Sequence, residues 1–439
     1  MIDLRKRFYS SEIKRKKTKN VIVAGWVQEI RDFGGIKFLV LRDKDGLIQV
    51  TAPKKKVSSE IFKKISDISK ECVVAVKGEV IKEKQAPGGI EVIPSEIEIL
   101  SRSESPIPLE FLKIESNLDK RLDWRFLDLR NPKNASIFKI QSVVSNATRS
   151  FFYENGFVEI HTPKIIASAT EGGANVFPIV YFEKKAFLAQ SPQFYKQMMM
   201  ATGFDKVFEI GPVFRAEPHH TTRHLCEYTS IDFEIAFIQG YEDVMEVVEN
   251  LFVYILKEVK KKCTNELKLF NRKIEVPKKP FPRITMKEAY ELLKREGKRI
   301  EYRSDLDPEG ERILSDVVKK MYKHEFVFLT EFPWKVAQFY HMRKKDDLEW
   351  TYRADLIWNG LEMTTLAQRE HRYEILVQQC KEKGLIPEQF NFYLNFFKYG
   401  MPPHGGAGTG LERIVLKILG LENIRETTLL PRDPLRLMP

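Results

Sequence analysis

Two segments of the sequence combine arginine, glutamate and small residues in a pattern that suits phosphate binding. The segment at 214–234 (FRAEPHHTTRHLCEYTSIDFE) opens with Arg215 and Glu217, which point to the same face of a predicted strand because side chains alternate. An arginine on an open sheet face can bind a phosphate through parallel hydrogen bonds. The segment at 408–413 (GTGLER) places small residues before a glutamate and an arginine, so that the backbone and the arginine can approach a ligand closely. The two segments predict a site for a phosphate-bearing ligand.

Other phosphate or metal sites have less support. His219 and His220 are adjacent, but no third ligand stands at a spacing that suits a metal ion, so a loop role is favoured. The chain has neither GxGxxG after a strand nor GxxxxGK[ST], so the Rossmann and P-loop interpretations have no support.

The composition is that of a soluble globular protein with more than one domain. The chain has 439 residues, of which 43% are hydrophobic and 30% charged, and one core rarely grows past roughly 250–300 residues. No apolar run approaches the roughly 18–20 residues of a spanning helix, and the basic start lacks the apolar part of a secretory signal. The four cysteines are far apart and form no CxxC pair, which fits a reducing compartment. We predict a cytoplasmic protein with no membrane partner.

Positive charge is concentrated at the start of the chain. The formal net charge is +11, and residues 1–103 hold 22 Lys and Arg against 14 Asp and Glu. A basic small domain beside a nearly neutral large one suggests contact with a polyanion. Charge alone leaves a lysine-rich solvated surface equally open.

The first hundred residues predict a small barrel. The DKDG turn at 43–46 and the Pro-Gly-Gly turn at 87–89 separate strand-like segments. Five strands with one short helix between the third and fourth match an OB-fold. The predicted strands are 21–30, 36–42, 47–52, 73–80 and 90–99, and the predicted helix is 61–68.

The remainder predicts an α+β domain. Residues 104–132 contain Pro106, Pro108 and an Arg/Asp-rich stretch, and we interpret them as a hinge. From residue 133 onward, strands and helices mix without regular βαβ alternation, which favours an antiparallel sheet flanked by helices. Helices are expected at 138–155, 241–262, 370–383 and from GTGLER to 420, and strands at 186–188, 207–210, 230–237, 326–329, 352–357 and 361–365.

Three polar segments together resemble the signature motifs of class II aminoacyl-tRNA synthetases. The first is 156–173 (GFVEIHTPKIIASATEGG), and the other two are the phosphate-site candidates. The likeness is greatest to aspartyl-tRNA synthetases of the archaeal and eukaryotic type. It extends from AGWV at 24–27 to PRDPLRL near the C-terminus, and includes SPQFYKQ at 191–197, GLEMTTLAQRE at 360–370 and YGMPPHGGAGTGLER at 399–413. The resemblance implies an OB-fold anticodon-binding domain at 1–103, a hinge at 104–132 and a class II catalytic domain at 133–439.

The resemblance also implies an activity and its residues. ATP and L-aspartate would give aspartyl-adenylate, and the aspartyl group would then move to the 3′ end of tRNA-Asp. Arg215 would hold the α-phosphate and the aspartate carboxylate, while Arg413 would lie on the adenine and the γ-phosphate; these two are the implied catalytic residues. Tyr228 would stack on the other adenine face, where the family usually has Phe. The implied ATP-binding set is Arg215, Ala216, Glu217, Arg223, His224, Leu225, Tyr228, Glu362, Gly410, Leu411, Glu412 and Arg413.

A magnesium ion and an aspartate pocket are implied in the same way. Mg²⁺ would be bound by Asp355, Glu362 and Thr365, since hard oxygen ligands suit that ion. Lys196 and Arg369 would face the side-chain carboxylate, which would favour aspartate over asparagine. The implied aspartate-binding set is Glu171, Gln193, Lys196, Arg215, Asp232, Thr365 and Arg369, with Asp232 and Gln193 around the amino group.

The barrel is implied to read the anticodon. Phe38 and Gln49 match positions that stack on and hydrogen-bond the central uracil, and Arg31 matches a further anticodon contact. Pro87 and Gln28 stand where relaxed family members, which charge both tRNA-Asp and tRNA-Asn, tend to have Lys and Trp. We therefore predict discrimination in favour of tRNA-Asp. Without the resemblance, Phe38 would be predicted to lie in the barrel core.

Other functions remain open on the sequence. A non-discriminating enzyme or an asparaginyl-tRNA synthetase is nearest, and Lys196 and TSIDFE at 229–234 argue against the latter. A non-catalytic RNA-binding paralogue would lack the motif arginines, and an asparagine synthetase would lack the barrel. Pro163 stands where the first motif places a proline at the subunit boundary of a homodimer, and no DNA partner is expected. Without the resemblance, Lys196 would be interpreted as a solvent-exposed lysine on a helix.

Three positions depart from the family pattern. Thr365-Leu366 stand where Ser-Gly is common, Ala407 replaces a common Phe, and residues 174–176 differ from the usual Thr-Glu-Leu. A leucine in place of glycine close to the substrate would alter the shape of the pocket.

Overall fold

The chain divides into two units, Met1–Glu110 and Phe111–Pro439, in a computed structural model. The structure describes residues 1–16, 18–112, 116–167, 175–218 and 221–438. Among these residues, no helix is both long and apolar enough to cross a membrane.

The first unit is a closed five-stranded barrel. Its strands are β1 (Asn20–Asp32), β2 (Ile36–Arg42), β3 (Leu47–Pro53), β4 (Val73–Lys82) and β5 (Ile90–Ser101), in the order β1-β2-β3-β5-β4. Alternate residues such as Val21, Val23 and Val27 fill the interior because side chains alternate along a strand. The predicted OB-fold is confirmed.

Two helices belong to the barrel unit, α1 (Ser10–Lys16) and α2 (Ser59–Ser66). The hydroxyl of Ser58 caps α2 by accepting a hydrogen bond from the backbone N–H of Ile61 at 3.2 Å. Ile61 and Ile65 of α2 join the barrel core. The predicted helix is therefore present, whereas α1 was not predicted.

The second half of the predicted hinge contains two short helices, α3 (Leu118–Asp123) and α4 (Arg125–Asp128). Arg125 is buried and donates hydrogen bonds to Asp128 at 2.6 Å and to the backbone carbonyl of Glu426 at 2.9 Å. This part of the chain is thus fixed to the second unit.

An eight-stranded sheet forms the centre of the second unit. In spatial order its strands are β12 (Arg283–Thr285), β13 (Phe326–Thr330), β14 (Arg353–Trp358), β15 (Glu362–Gln368), β16 (His404–Gly410), β11 (Glu227–Ala236), β10 (Lys206–Phe214) and β6 (Val158–Glu159). The strands from β13 to β10 are antiparallel, and β12 and β6 join the edges in parallel. The predicted α+β class is confirmed, with parallel pairing only at the edges. A separate small sheet contains β7 (Ile165–Ile166), β8 (Pro178–Tyr181) and β9 (Lys184–Leu188).

Helices cover the sheet. They are α5 (Pro132–Glu154), α6 (Gln193–Met200), α7 (Tyr241–Lys262), α8 (Thr264–Leu269), α9 (Met286–Arg295), α10 (Pro308–Tyr322), α11 (Tyr373–Glu382), α12 (Asn391–Lys398) and α13 (Leu411–Leu419). The apolar sides of α5, α7 and α13 share one core with inward residues of β11, β15 and β16. These helices therefore cover one face of the central strands.

Candidate active site

A cleft of about 360 Å³ opens over the central strands. In β11, Ile231 and Phe233 pack in the helix-covered core, whereas Ser230 and Asp232 line the cleft, because successive side chains alternate. The predicted site residues that line it are Gln193, Arg215, Glu217, Arg223, His224, Leu225, Tyr228, Asp232, Glu362, Thr365, Arg369, Gly410, Glu412 and Arg413.

A row of paired residues crosses four neighbouring strands at this cleft. Asp232 pairs with Gly408, Gly408 with Thr365, and Thr365 with Asp355. A Cβ atom on Gly408 would lie 3.1 Å from Oδ1 of Asp232. Because residue 408 is glycine, the space between the side chains of Asp232 and Thr365 stays open.

Arg215 reaches the cleft by a route other than the predicted strand. Strand β10 ends at Phe214, and a turn follows in which the backbone N–H of Glu217 donates to the carbonyl of Arg215 at 2.8 Å. The expectation that strand alternation aligns Arg215 and Glu217 is wrong, although both line the cleft. The guanidinium of Arg215 lies 5.6 Å from the ring centroid of Tyr228.

Arg413 enters from the start of α13. Its Nη1 donates to the carbonyl of Glu362 at 2.6 Å and lies 3.6 Å from Oε1 of the same residue. The neighbouring Glu412 accepts from the backbone N–H of Thr229 at 3.0 Å, and burial raises the pKa of Glu412 to about 7. Glu412 therefore ties α13 to β11 and fixes Arg413 near Tyr228.

Two buried ion pairs lie at the other end of the cleft. Nζ of Lys196, on α6, donates to Oδ1 of Asp232 at 2.8 Å, and the lysine is 2% exposed. Nε of Arg369 donates to Oε1 of Glu234 at 2.9 Å. The interpretation of Lys196 as a solvated helix lysine is thus wrong.

Gln193 has a defined orientation beside Arg369. Its Oε1 accepts from Nη2 of Arg369 at 3.3 Å, and an arginine can only donate, so the amide oxygen must face the guanidinium. Nε2 of Gln193 is buried without a partner, and Nη1 of Arg369 also has no hydrogen-bond partner among the described residues. Both open groups are donors, which suit a carboxylate oxygen better than an ammonium group.

The three predicted magnesium ligands lie on adjacent strands. Asp355 is buried with Arg353, whose Nη2 lies 2.7 Å from its Oδ2, and the hydroxyl of Thr365 donates to Glu362 at 3.1 Å. Burial raises the pKa of Asp355; for Glu362 the charges of Arg413 and Arg353 outweigh burial and lower the pKa. Within the described ranges, no group of three or more His, Cys, Asp or Glu is placed to bind a metal. The oxygens that this position offers to a metal ion are therefore those of two carboxylates, Asp355 and Glu362, and of the Thr365 hydroxyl.

Some predicted residues do not line the cleft. Ala216, Leu411, Lys196 and Asp355 are not among its lining residues, and Glu171 and the histidines at 219 and 220 lie outside the described residues. Sequence reasoning did not name these other lining residues individually: Ser191, Ser230, Gln338, Tyr340, His341, Arg353, Met363 and Ile424. Gly408 and Thr409 also line the cleft, and both belong to the predicted segment 408–413. Ser230 and Arg353 stand two residues from predicted ones on the same strands, so alternation could have found them. The loop residues 338–341 carry no such signal.

The outer surface of the barrel brings two predicted anticodon residues together. Arg31 and Phe38 are directly paired across β1 and β2, and Phe38 lies outside the barrel core, so its interpretation as core is wrong. Phe33, which is 70% exposed, makes a T-shaped contact with Phe38 at 6.0 Å between ring centroids. Nε2 of Gln49, on β3, donates to Glu91 at 2.9 Å.

The two positions predicted to set tRNA choice have different surroundings. Pro87 begins a short 3₁₀ turn in which Gly88 and Gly89 have φ of 80° and 74°, a conformation that glycine adopts readily. Gln28 lies at a bulge in β1 and accepts from Arg42 at 3.3 Å. Arg42 in turn pairs with buried Glu71 at 2.7 Å, so the side chain of Gln28 is held by a neighbouring strand.

Comparisons with known proteins cover both units. Residues 117–434 match the family described as tRNA synthetases class II (D, K and N), and residues 21–100 match the OB-fold nucleic acid binding domain. The chain belongs to the class II tRNA synthetases. It is 53% identical over 433 residues to the aspartate–tRNA(Asp) ligase of Pyrococcus abyssi, covering 98% of this chain and 99% of that one. It is 51% identical to the aspartate–tRNA(Asp/Asn) ligase of Methanopyrus kandleri, covering 96% of each.

The fold agrees with solved structures of this synthetase class. The asparaginyl-tRNA synthetase from Pyrococcus horikoshii, complexed with asparaginyl-adenylate, superposes with a TM-score of 0.92 at 32% identity, covering 100% of both chains. The class II resemblance inferred from the three motifs is confirmed.

Two departures from the synthetase pattern compensate each other. Leu366 on β15 and Ala407 on β16 are directly paired, and both are fully buried in the helix-covered core. Compared with the family pattern, the side chain is larger at Leu366 and smaller at Ala407 opposite it, so that the exchange conserves the volume of the core. Neither side chain lines the cleft, so the shape expected to change is that of the core.

Proposed function

We propose that this chain is an aspartate–tRNA ligase that activates L-aspartate with ATP and transfers it to tRNA-Asp. The observation that carries the proposal is the pair of open donors, Nη1 of Arg369 and Nε2 of Gln193, beside two buried ion pairs. A carboxylate offers an acceptor oxygen to each of the two donors, whereas an asparagine amide would offer its oxygen to one donor and turn its own N–H group toward the other. The identities of 51–53% to aspartate ligases, against 32% to the asparaginyl enzyme, support the same choice.

The reaction requires positioning rather than acid–base catalysis. An oxygen of the aspartate α-carboxylate forms a bond to the α-phosphorus of ATP, and the bond from that phosphorus to pyrophosphate breaks. Arg215 would balance the negative charge on the phosphorus oxygens, since positioning and electrostatics dominate such transfers. In the second step the terminal ribose hydroxyl of tRNA attacks the aspartyl carbonyl and AMP leaves.

The nucleotide would occupy the end of the cleft between Tyr228 and Arg413. These residues would hold the two faces of the adenine, and Glu217 would accept from its amino group. Arg223 and His224 would contact the terminal phosphates; burial and the charge of Arg413 lower the pKa of His224. The remaining predicted ATP contacts stay part of this proposal.

The residues at the predicted magnesium position fit a divalent cation. Asp355, Glu362 and Thr365 offer hard oxygens on adjacent strands, with too few donors to close a coordination shell without ATP oxygens. A bound Mg²⁺ would neutralise phosphate charge. Asp232, freed from Lys196 when a substrate carboxylate competes for the lysine, would accept from the aspartate ammonium group.

The direct test of the proposed activity is ATP–pyrophosphate exchange with aspartate and asparagine side by side. Exchange that depends on aspartate and not on asparagine is expected. Preference for asparagine would favour an asparaginyl enzyme, and no exchange with either amino acid would favour a non-catalytic RNA-binding paralogue. Formation of free asparagine would favour an asparagine synthetase.

A homodimer is part of the proposal, because motif 1 of this class builds a two-fold interface and Pro163 stands at its boundary. Light scattering at micromolar concentration is expected to give twice the mass of 51.3 kDa. A monomer under these conditions would contradict the dimer. The cytoplasmic location stays a prediction.

Discrimination in favour of tRNA-Asp is expected from the turn at Pro87. A rigid turn presents its backbone groups in one geometry, so a wrong base leaves a polar group unpaired, at a cost of about 1–3 kcal/mol. The ratio of kcat/KM for tRNA-Asp over tRNA-Asn should therefore exceed about fivefold. The ratio is measured with both transcripts at one stated salt concentration, because phosphate contacts make affinity salt-dependent.

Two variants assign this discrimination to the turn. Pro87→Lys should lower the ratio toward one. Gln85→Lys, which adds the same charge to an exposed position of the same loop, should preserve it. Comparable charging of both tRNAs by the wild type would overturn the prediction, and an unchanged ratio in Pro87→Lys would remove the turn as its determinant.

A further inference from the structure

Arg223, at the phosphate end of the cleft, is held by residues outside the three motifs. Its Nη2 donates to Oε2 of Glu311 at 2.7 Å and to the backbone carbonyl of Gly360 at 2.9 Å. Neither Nε nor Nη1 of Arg223 has a hydrogen-bond partner among the described residues. Arg223 lines the cleft, whereas Glu311 stands behind it on the first turn of α10. One edge of the guanidinium is thus fixed and the other is available to a ligand.

Helix α10 also fixes the second acceptor. The backbone N–H of Gly360 donates to the hydroxyl of Ser315 at 2.8 Å. Gly360 has φ of +74°, and a Cβ there would lie 2.7 Å from Cγ of Arg312. Helix α10 therefore packs directly on this glycine turn. The carbonyl of Gly360, which accepts from Arg223, cannot shift without moving the helix.

The surroundings of Glu311 are rich in cations. Burial raises the pKa of Glu311, while the nearby Arg223 opposes that shift. Burial, together with the charge of Arg223, lowers the pKa of Lys417 to about 8, and Nζ of this lysine donates to the carbonyl of Asn359 at 2.7 Å. Glu311 is the carboxylate that directly contacts Arg223, so it can orient this arginine and offset its charge.

We propose that Glu311 is a positioning residue for the terminal phosphates of ATP and for pyrophosphate. Its carboxylate and the Gly360 carbonyl fix Nη2 of Arg223, so that Nε and Nη1 face the phosphate oxygens. Because a pre-oriented arginine loses less freedom on binding, the gain is in phosphate affinity. The inference rests on the proposed function in one respect, that Arg223 binds the terminal phosphates.

Glu311→Ala and Glu311→Gln separate orientation from charge. The alanine variant loses a hydrogen bond to a charged group and should raise the KM for ATP, and for pyrophosphate in the reverse reaction, by about tenfold or more. Its KM for aspartate and its kcat should stay within about twofold of the wild type. Glu311→Gln keeps an acceptor for Nη2 and should recover most of the affinity. The control Glu309→Ala removes an exposed carboxylate of the same helical turn that pairs with Lys298, and should behave as wild type.

A double-mutant cycle with Arg223→Ala decides whether the two residues act together. If Glu311 works through Arg223, adding Glu311→Ala to Arg223→Ala should raise the KM for ATP no further. Additive losses, tighter ATP binding by Glu311→Ala, or an unchanged KM for ATP in either single variant would overturn the inference. A wild-type enzyme without aspartate-dependent exchange would instead overturn the proposed function, so the two failures are distinct.

Discussion

Arg215→Ala is expected to lower aspartate-dependent ATP–pyrophosphate exchange by at least about a hundredfold, the scale of losing one group that stabilises transition-state charge. Arg215 is exposed in the cleft, with its guanidinium 5.6 Å from the centroid of the Tyr228 ring, and it takes no part in a hydrophobic core. We therefore expect the loss of this charge to affect the reaction far more than the packing of the core. The variant should keep the wild-type melting temperature.

The control for Arg215→Ala is Arg295→Ala, which removes an exposed arginine at the end of α9. Exchange and thermal unfolding are measured on both variants. Exchange by Arg215→Ala within about tenfold of the wild type, equivalent to about 1.4 kcal/mol, would remove Arg215 from the transition state.

The barrel was predictable because its determinants are local. Period-two apolar patterns and turn residues marked all five strands, and the observed β2 spans the predicted Ile36–Arg42. The predicted helix of the unit, α2, begins at Ser59 rather than 61, because Ser58 provides a cap that the apolar spacing alone did not include.

The predicted hinge shows where local reasoning stops. Helices α3 and α4 are too short to give a periodic signal, and Arg125 is stabilised by Glu426, some three hundred residues later in the chain. The compensation between Leu366 and Ala407 is non-local for the same reason, since their pairing depends on strand order.

The site was predictable only in part. Residue types and spacing pointed to the motif arginines, their roles came from resemblance, and the structure brings both to one cleft. Sequence reasoning placed Lys196 and Arg369 against the substrate carboxylate and named no protein partner for either; each is paired with a buried carboxylate, because an isolated buried charge would cost too much. The positions of Asp232 and Glu234 opposite these cations depend on how α6 and β15 pack against β11, and no residue spacing contains that information.

Lys196→Leu is expected to raise the KM for aspartate by about a hundredfold or more, while the KM for ATP stays within about threefold. The expected effect is large because removing one partner of a buried ion pair typically costs about 3–5 kcal/mol. Without the ammonium group, Asp232 and Glu234 would face the substrate carboxylate with excess negative charge. The same loss leaves two buried carboxylates short of one cation, so the melting temperature should also fall. Lys344→Leu breaks the ion pair with Glu331 elsewhere in this unit and should leave both KM values unchanged.

A second variant separates binding from folding. In Lys196→Leu/Asp232→Asn the unpaired charge of Asp232 is removed, so part of the lost thermal stability should return. Aspartate activation should not return, since the cation for the substrate carboxylate is absent and the amide oxygen introduced by Asp232→Asn carries no charge to balance the substrate ammonium group. Equal losses in ATP and aspartate KM for the single variant, or recovery of aspartate activation along with stability in the double variant, would show that Lys196 supports the fold alone.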